Sequence, residues 1–236
     1  MGVNIACVQE TRWVGSRARY ADGYKLWYSG VRKGKNGVGI LVDEELRESV
    51  VEVRRVNDRL MTIKLVVGEC TLNIVSIYAL HAGRDEEVKR RFWEGLDKIV
   101  LQVPPIERLF IRGGFNGHIG STACGYGEVH GGLGFGERNG GGTSLLDFAK
   151  AFGLVIANSS FPKRGEHLVR FPLRLGESAS ADKNCVPANA CVRNISASAM
   201  PGPAIPFRFS GASLAPAISL PSVLSAPADV ASLTNY

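Results

Sequence analysis

Short runs of β-branched and aromatic residues, separated by glycine and charged loops, limit the fold of this chain more than any other feature. The segments 85–103 and 143–152 differ, because their apolar residues recur at helical spacing, and Gly153 closes the second one. Many strands with few helices predict an α+β fold built from packed sheets. The runs that predict strands are 4–9, 24–29, 38–42, 50–57, 60–67, 70–78, 108–112, 154–158 and 168–171.

The last 60 residues differ in composition from the rest of the chain. Seven of the eleven prolines lie there, among Ala, Ser and small apolar residues. Prolines at this density break helices and sheets, and no period of 2 or 3.6 residues persists. We therefore expect one domain over residues 1–176 and a Pro/Ala/Ser-rich, disordered tail over 177–236. The charges of the tail cancel, so the net charge of +6 is predicted to belong to the domain.

Several protein classes are disfavoured by composition. No apolar run is long enough to span a bilayer and no secretory signal is visible, so we expect an intracellular location, nuclear or cytoplasmic. The five cysteines are odd in number and lack a C-x-x-C pair, which argues against a disulfide framework or a structural zinc site. Neither a strand–G-x-G-x-x-G–helix unit nor a G-x-x-x-x-G-K-[ST] loop occurs, so no nucleotide cofactor is expected. The basic charge favours nucleic acid as the candidate partner, and no particular oligomeric state is predicted.

Three predicted strands end in polar residues suited to phosphodiester chemistry. Glu10 follows the first run, Tyr78 ends the run at 70–78, and Asn116 follows the run at 108–112 after two glycines. Hydrolysis of a phosphodiester uses oxygen ligands for Mg²⁺, a group that activates water, and donors to the phosphate oxygens. The three residues could supply a ligand, a hydroxyl and an amide. Each alone also has an ordinary structural interpretation, as a solvated loop Glu, a packed Tyr and a turn Asn.

Three motifs occur in order along the chain: Ile5-Ala6-Cys7-Val8-Gln9-Glu10-Thr11-Arg12-Trp13, Ser76-Ile77-Tyr78-Ala79 and Gly113-Gly114-Phe115-Asn116-Gly117-His118-Ile119-Gly120. Through them the chain resembles the endonuclease/exonuclease/phosphatase superfamily over roughly residues 3–171, in its craniofacial development protein 2-like branch, which is related to endonuclease domains of LINE-type retrotransposons. The resemblance implies a DNase I-like four-layer sandwich of two packed β-sheets flanked by helices. It also implies that Glu10 binds the metal and that Tyr78 and Asn116 are catalytic.

Departures from the family pattern imply a loss of activity. The family motif G-D-F-N reads Gly113-Gly114-Phe115-Asn116 here, so Gly114 stands where the family has its catalytic aspartate. The first family strand would precede Met1, and the closing Asp/His segment would follow Phe171, where the tail stands instead. We therefore expect a domain truncated at both ends, with exposed sheet edges. The expected function is a degenerate Mg²⁺-dependent phosphodiesterase of retrotransposon origin, with weak or lost Mg²⁺ binding and impaired catalysis.

Two other hypotheses remain open from the sequence. One is a non-catalytic nucleic-acid-binding remnant, and the other is a chain that yields no stable product. Nicking activity separates the enzyme from the binding remnant, and a cooperative unfolding transition separates both from an unstable product. A solvated hairpin loop is the ordinary interpretation of the basic run near residues 32–35. The basic residues proposed for the binding remnant are Arg12, Arg17, Arg19, Arg32, Lys33 and Lys35.

Overall fold

A computed structural model of the chain describes residues 3–81, 83 and 85–161, and the backbone of residues 189–193 and 209–213. Its α-helices are α1 (Glu86–Leu101) and α2 (Gly140–Ala151). Its strands are β1 (Ile5–Gln9), β2 (Ala18–Ala21), β3 (Tyr24–Ser29), β4 (Val38–Val42), β5 (Val50–Arg55), β6 (Leu60–Val67), β7 (Cys70–Tyr78), β8 (Arg108–Gly114), β9 (Leu154–Ile156), β10 (Asn189–Arg193) and β11 (Phe209–Ser213).

Two sheets contain all of these strands. The first sheet has the order β11-β1-β4-β3-β2, and the second has the order β5-β6-β7-β8-β10-β9. Because side chains alternate between the two faces of a strand, the central strands bury apolar residues on both faces. The predicted α+β fold of two packed sheets with helices is confirmed. Both α-helices lie on the second sheet, and no helix over the first sheet is among the described residues.

One apolar cluster lies between the sheets, and a second lies between the second sheet and the helices. The inter-sheet cluster includes Ile5, Cys7, Ile40, Met61, Ile63 and Ile74. The helix-side cluster includes Ile77, Phe92, Leu96, Ile111, Leu145 and Leu146. Burial of this kind stabilises a domain by about 25 cal/mol for each Å² of apolar surface removed from water. These two cores fix the relative positions of β1, β7 and β8, whose ends carry the predicted site.

Side-chain caps set the starts of both helices. The Asp85 carboxylate accepts a hydrogen bond of 2.8 Å from the backbone N–H of Glu87, at the start of α1. In α2 the cap is Asn139, whose side chain accepts from the N–H of Gly142 at 2.9 Å. The sequence predicted a start near Thr143 as a plausible cap, whereas the structure begins the helix at Gly140 with Asn139 as the cap. Asn139 also accepts from the N–H of His118 at 3.0 Å, and this second bond joins the start of α2 to the loop that follows β8.

Two strands come from the region that the sequence predicted to be disordered. β10 pairs antiparallel with β8 and β9, and β11 pairs parallel with β1. These strands lie within the stretch expected to lack secondary structure, and they pair with the edges of β1 and β8. Neither segment contains proline, so each can complete a ladder of backbone hydrogen bonds. The rest of 177–236 and the predicted strand at 168–171 lie outside the described residues, so the boundary at 176 stays a prediction.

The ends of β1, β7 and β8 meet at one end of the molecule. β7 and β8 are parallel, and their register places Tyr78 beside Gly114. Parallel neighbours end at the same edge of a sheet, and β1 packs across the inter-sheet space from both.

No helix among the described residues is long and apolar enough to cross a membrane.

Candidate phosphodiester site

The three predicted site residues lie together. The Tyr78 hydroxyl donates a hydrogen bond of 2.6 Å to Oε1 of Glu10, although 68 positions separate the two residues. The Asn116 side-chain amide donates to the carbonyl oxygen of Ala79 at 2.7 Å, one residue after Tyr78. The structure therefore brings Glu10, Tyr78 and Asn116 to the same end of the molecule. Their roles in catalysis stay predictions.

Left-handed backbone conformations cluster at this site. Glu10, Arg12 and Asn116 have φ angles of 55°, 56° and 50°. Asparagine adopts this region readily, whereas a longer side chain does so at a cost of about 1–3 kcal/mol. Such strained residues tend to cluster where a protein must aim a side chain in one direction. The backbone therefore turns sharply at each strand end and directs these side chains into the site.

Backbone hydrogen bonds hold the strained turn that carries Glu10 and Arg12. The N–H of Arg12 donates to the carbonyl of Asn36 at 2.9 Å, and the N–H of Gly34 donates to the carbonyl of Arg12 at 3.0 Å. Gly37 makes this approach close, because it has a φ of 96° and an added Cβ would overlap the Thr11 hydroxyl. The loop that precedes β4 thus clamps the residues that follow β1.

Both carboxylate oxygens of Glu10 have partners. Arg12 donates from Nη2 to Oε2 at 2.9 Å, while Tyr78 donates to Oε1. Burial, the hydrogen bond to Glu10 and the charge of Glu10 together raise the pKa of the Tyr78 phenol well above its ordinary value. Tyr78 is therefore protonated at neutral pH and acts as a hydrogen-bond donor to the carboxylate.

His81 is a site residue that the sequence analysis did not identify. Its Nε2 lies 3.0 Å from the Tyr78 hydroxyl. The single phenolic proton is directed to Glu10, so the phenol oxygen must accept from His81, and Nε2 carries the hydrogen. The only sequence signal for this contact is its position three residues after Tyr78.

Arg59 is the second site residue that the sequence did not reveal. Its guanidinium lies 5.0 Å from the centre of the Tyr78 ring and donates to the carbonyl of Tyr78 at 3.0 Å. It also donates to the side-chain oxygen of Asn36 at 2.9 Å, which connects it to the loop that clamps Arg12. An arginine in a loop between two strands has no distinctive spacing, so no pattern could have singled it out.

The two glycines at the end of β8 differ in how much space surrounds them. Gly113 has a φ of 146°, and an added Cβ would overlap the carbonyl of Ile77. A Cβ added at Gly114 would meet only the Tyr78 ring, at an ordinary contact distance of 3.5 Å. The site therefore has room for a side chain at Gly114, the position where the family pattern has its aspartate.

Polar atoms without partners are buried beneath the site. The side-chain amide of Gln9 is 1% exposed, and neither of its polar atoms has a hydrogen-bond partner among the described residues. Nε of Arg112 likewise has no hydrogen-bond partner among the described residues. Burial lowers the pKa of Arg112. Burial also raises the pKa of the neighbouring Cys7 thiol to about 12, so this thiol is neutral and cannot balance the charge of Arg112.

The residues present do not fit a magnesium site. Mg²⁺ requires near-octahedral oxygen ligands, usually with one or two carboxylates. No group of three or more His, Cys, Asp or Glu side chains that could hold a metal ion exists in the part of the chain that the structure describes. The carboxylate that Glu10 offers is already bound by Arg12 and Tyr78 through both of its oxygens.

The endonuclease domain of TRAS1, a telomere-specific non-LTR retrotransposon, superposes on this chain with a TM-score of 0.53 at 16% identity, covering 80% of this chain and 73% of that one. An AP endonuclease from Archaeoglobus fulgidus gives the same TM-score and identity, covering 80% of this chain and 76% of its own. The chain therefore shares the fold of two packed sheets with these two endonucleases. At this level of identity, the structural similarity shows the fold alone.

Relatives in sequence agree with this fold. Craniofacial development protein 2 of Bos taurus is 27% identical over 169 residues, covering 71% of this chain and 28% of the relative. The protein of the same name from Tragulus javanicus is also 27% identical, covering 71% of this chain and 29% of its own length. The predicted resemblance to the craniofacial development protein 2-like branch is thus confirmed. The chain spans less than a third of the length of these relatives, and no protein-family model matches it.

Proposed function

We propose that this chain is a degenerate phosphodiesterase domain of the endonuclease type, of retrotransposon origin and catalytically impaired. The observation that carries the proposal is the Glu10–Tyr78 pair, held at the meeting end of the two sheets beside Asn116. The resemblance in sequence to the craniofacial development protein 2-like branch, which is related to endonuclease domains of LINE-type retrotransposons, supports the retrotransposon origin. An intracellular location and a nucleic-acid partner belong to the same proposal.

Impaired catalysis follows from what each residue can do with a proton. Hydrolysis of a phosphodiester requires a group that orients or deprotonates water. Tyr78 holds its own proton and directs it to Glu10, so it cannot serve as the base. Glu10 already accepts two hydrogen bonds, and Gly114 has no side chain. We propose that Mg²⁺ binding is weak or lost for the same reason, since the oxygens it would need are engaged or missing.

Cleavage of supercoiled plasmid DNA in Mg²⁺ tests this proposal. We expect little or no nicking above background for the chain, and no difference between the chain and Glu10→Ala. Gly114→Asp alone should not restore nicking, because Arg12 and Tyr78 still occupy both oxygens of Glu10. Efficient nicking that Glu10→Ala abolishes would show that the impaired-enzyme proposal is wrong.

A non-catalytic nucleic-acid-binding remnant is the second candidate function. Arg17, Arg32, Lys33 and Lys35 are exposed, and none of them forms an ion pair within the described residues. Unpaired basic side chains attract the phosphate backbone and make the affinity fall as salt is added. Fluorescence anisotropy of a labelled oligonucleotide at increasing NaCl measures this dependence. We expect an Arg32→Gln/Lys33→Gln/Lys35→Gln variant to show a shallower salt dependence than the unmodified chain.

A further inference from the structure

The ion pair between Arg12 and Glu10 differs from an ordinary surface ion pair. The side chains are 38% and 19% exposed, and the two groups approach to 2.9 Å. Exposed pairs contribute little because two flexible side chains must be ordered to form them. Here the backbone has already fixed both residues in left-handed conformations, and the loop at residues 34–37 clamps the turn. The fold itself therefore places the guanidinium on the carboxylate.

The guanidinium lies where a cation bound to Glu10 would have to lie. The Tyr78 hydroxyl takes Oε1 and Arg12 takes Oε2, so an incoming metal ion would have to displace Arg12 to gain a strong bond to the carboxylate. A guanidinium is always charged and has five N–H donors in a planar fork. The bond to Glu10 uses the Nη2 group, and the partial exposure of the side chain leaves other donors accessible to a ligand.

We infer that Arg12 serves as a built-in cation at this site, replacing a divalent metal on Glu10 and binding the phosphate of a phosphodiester directly. The class of ligand rests on the proposed function, whereas the replacement of the metal rests on the Glu10–Arg12 geometry alone. Guanidinium groups bind phosphate oxygens through two parallel charge-assisted hydrogen bonds. A guanidinium does not lower the pKa of a bound water as a metal ion does. The site therefore binds a phosphodiester without divalent metal and does not cleave it.

Competition between the guanidinium and a metal ion provides the first test. Binding of Mn²⁺ is measured by the loss of its free-ion electron paramagnetic resonance signal, for the intact chain and its variants. We expect Arg12→Gln to bind Mn²⁺ about tenfold more tightly than the unmodified chain, because the carboxylate is released. Adding Glu10→Gln to that variant should abolish the gain. Arg32→Gln is the matched control, since it removes the same charge from an exposed loop and should change Mn²⁺ affinity less than about twofold.

Two results would overturn the inference. One is tight Mn²⁺ binding by the unmodified chain that Glu10→Gln abolishes, since the guanidinium would then not exclude the ion. The other is an equal effect of Arg12→Gln and Arg32→Gln, since the gain would then reflect net charge alone. Circular dichroism of each variant confirms that it is folded.

Oligonucleotide binding with and without metal provides the second test. A short fluorescein-labelled oligodeoxynucleotide is titrated with the chain in EDTA and in Mg²⁺, and anisotropy gives the Kd. We expect the two values to agree within about twofold, and Arg12→Gln to weaken binding about tenfold more than Arg91→Gln, which removes the same charge from the exposed surface of α1. Binding that requires Mg²⁺ would overturn the inference and leave the proposed function standing. Absence of binding in both buffers would contradict the inference and the proposed nucleic-acid partner together.

Discussion

The site has two halves that differ in how their charges are balanced. Around Glu10 the carboxylate accepts from Arg12 and Tyr78, so the charges and hydrogen bonds are satisfied. Near Gly114, on β8, Nε of the partly buried Arg112 has no partner among the described residues. Both halves nevertheless keep the strand register that places Tyr78 beside Gly114. The apolar cores fix the positions of the site residues, and the polar pairs among these residues determine which chemistry is available.

Arg112 and Gly114 lie on the same face of β8, because side chains on a strand alternate with a period of two. Phe110 on that face packs against the inter-sheet cluster, which confirms that the face points between the sheets. An aspartate at Gly114 would therefore lie on the face that carries the unbalanced guanidinium. A buried charge without a partner is destabilising, so the absence of that carboxylate affects stability as well as activity.

The largest effect is expected from adding one methyl group at Gly113, and the adjacent Gly114 provides the comparison. Gly113→Ala should lower the free energy of unfolding by about 3 kcal/mol, because it combines a positive φ with overlap of the Ile77 carbonyl. Gly114→Ala should change it by less than about 1 kcal/mol, because its Cβ meets only the Tyr78 ring. Urea denaturation followed by tryptophan fluorescence measures both. Equal losses would show that the two positions are equally constrained.

A smaller effect, of opposite sign, is expected from replacing Arg112. Arg112→Met should raise the free energy of unfolding by about 1 kcal/mol, because it replaces a partly buried guanidinium, whose Nε has no partner among the described residues, with an apolar side chain of similar length. The control is Arg54→Met, which alters a half-exposed arginine that lies 3.8 Å from Glu52. That change should stay within about 0.5 kcal/mol. A loss of stability in Arg112→Met larger than in Arg54→Met would contradict the absence of a partner.

A double-mutant cycle tests whether the two positions on β8 interact. Gly114→Asp should stabilise the unmodified chain relative to Gly114→Asn, its neutral counterpart of the same shape. The difference should disappear in the Arg112→Met background, because the partner charge is gone. Equal differences in both backgrounds would mean that Arg112 and the new carboxylate do not pair.

The sequence predicted central strands better than edge strands. The predicted bounds of β3, β4, β6 and β7 match the structure, because these strands bury β-branched and aromatic residues on consistent faces. β2 was not predicted, since Ala18–Ala21 is a short exposed edge strand without an apolar pattern. β10 and β11 were not predicted, because proline in the surrounding segments outweighed their local character. Pairing with an existing edge supplies stability that a local pattern does not contain.

The positions of the site residues were predicted better than their partners. Glu10, Tyr78 and Asn116 could be identified because each ends or follows an apolar strand and because the motifs around them resemble those of the family. Arg12 was identified only as a basic residue, since its bond to Glu10 depends on two left-handed residues that no sequence period reveals. His81 and Arg59 contact Tyr78 through the fold. The position of His81 three residues after Tyr78 is its only signal in the sequence, and Arg59 has none.

The smallest effect is expected in the alkaline titration of Tyr78. Its pKa is raised above the unfolded value by burial and by Glu10, so the stability that its protonated form contributes is present below about pH 10 and is lost as pH rises through the folded pKa. In a titration of phenolate absorbance, Tyr78→Phe should remove a step at the highest pH. Glu10→Gln should move that step to lower pH, because it removes the negative charge beside the phenol.

Asp147→Asn is the control, since Asp147 raises the pKa of Tyr126 instead and should leave the Tyr78 step in place. A Tyr78 step that does not respond to Glu10→Gln would mean that the half of the site around Glu10 is not held together as the structure shows.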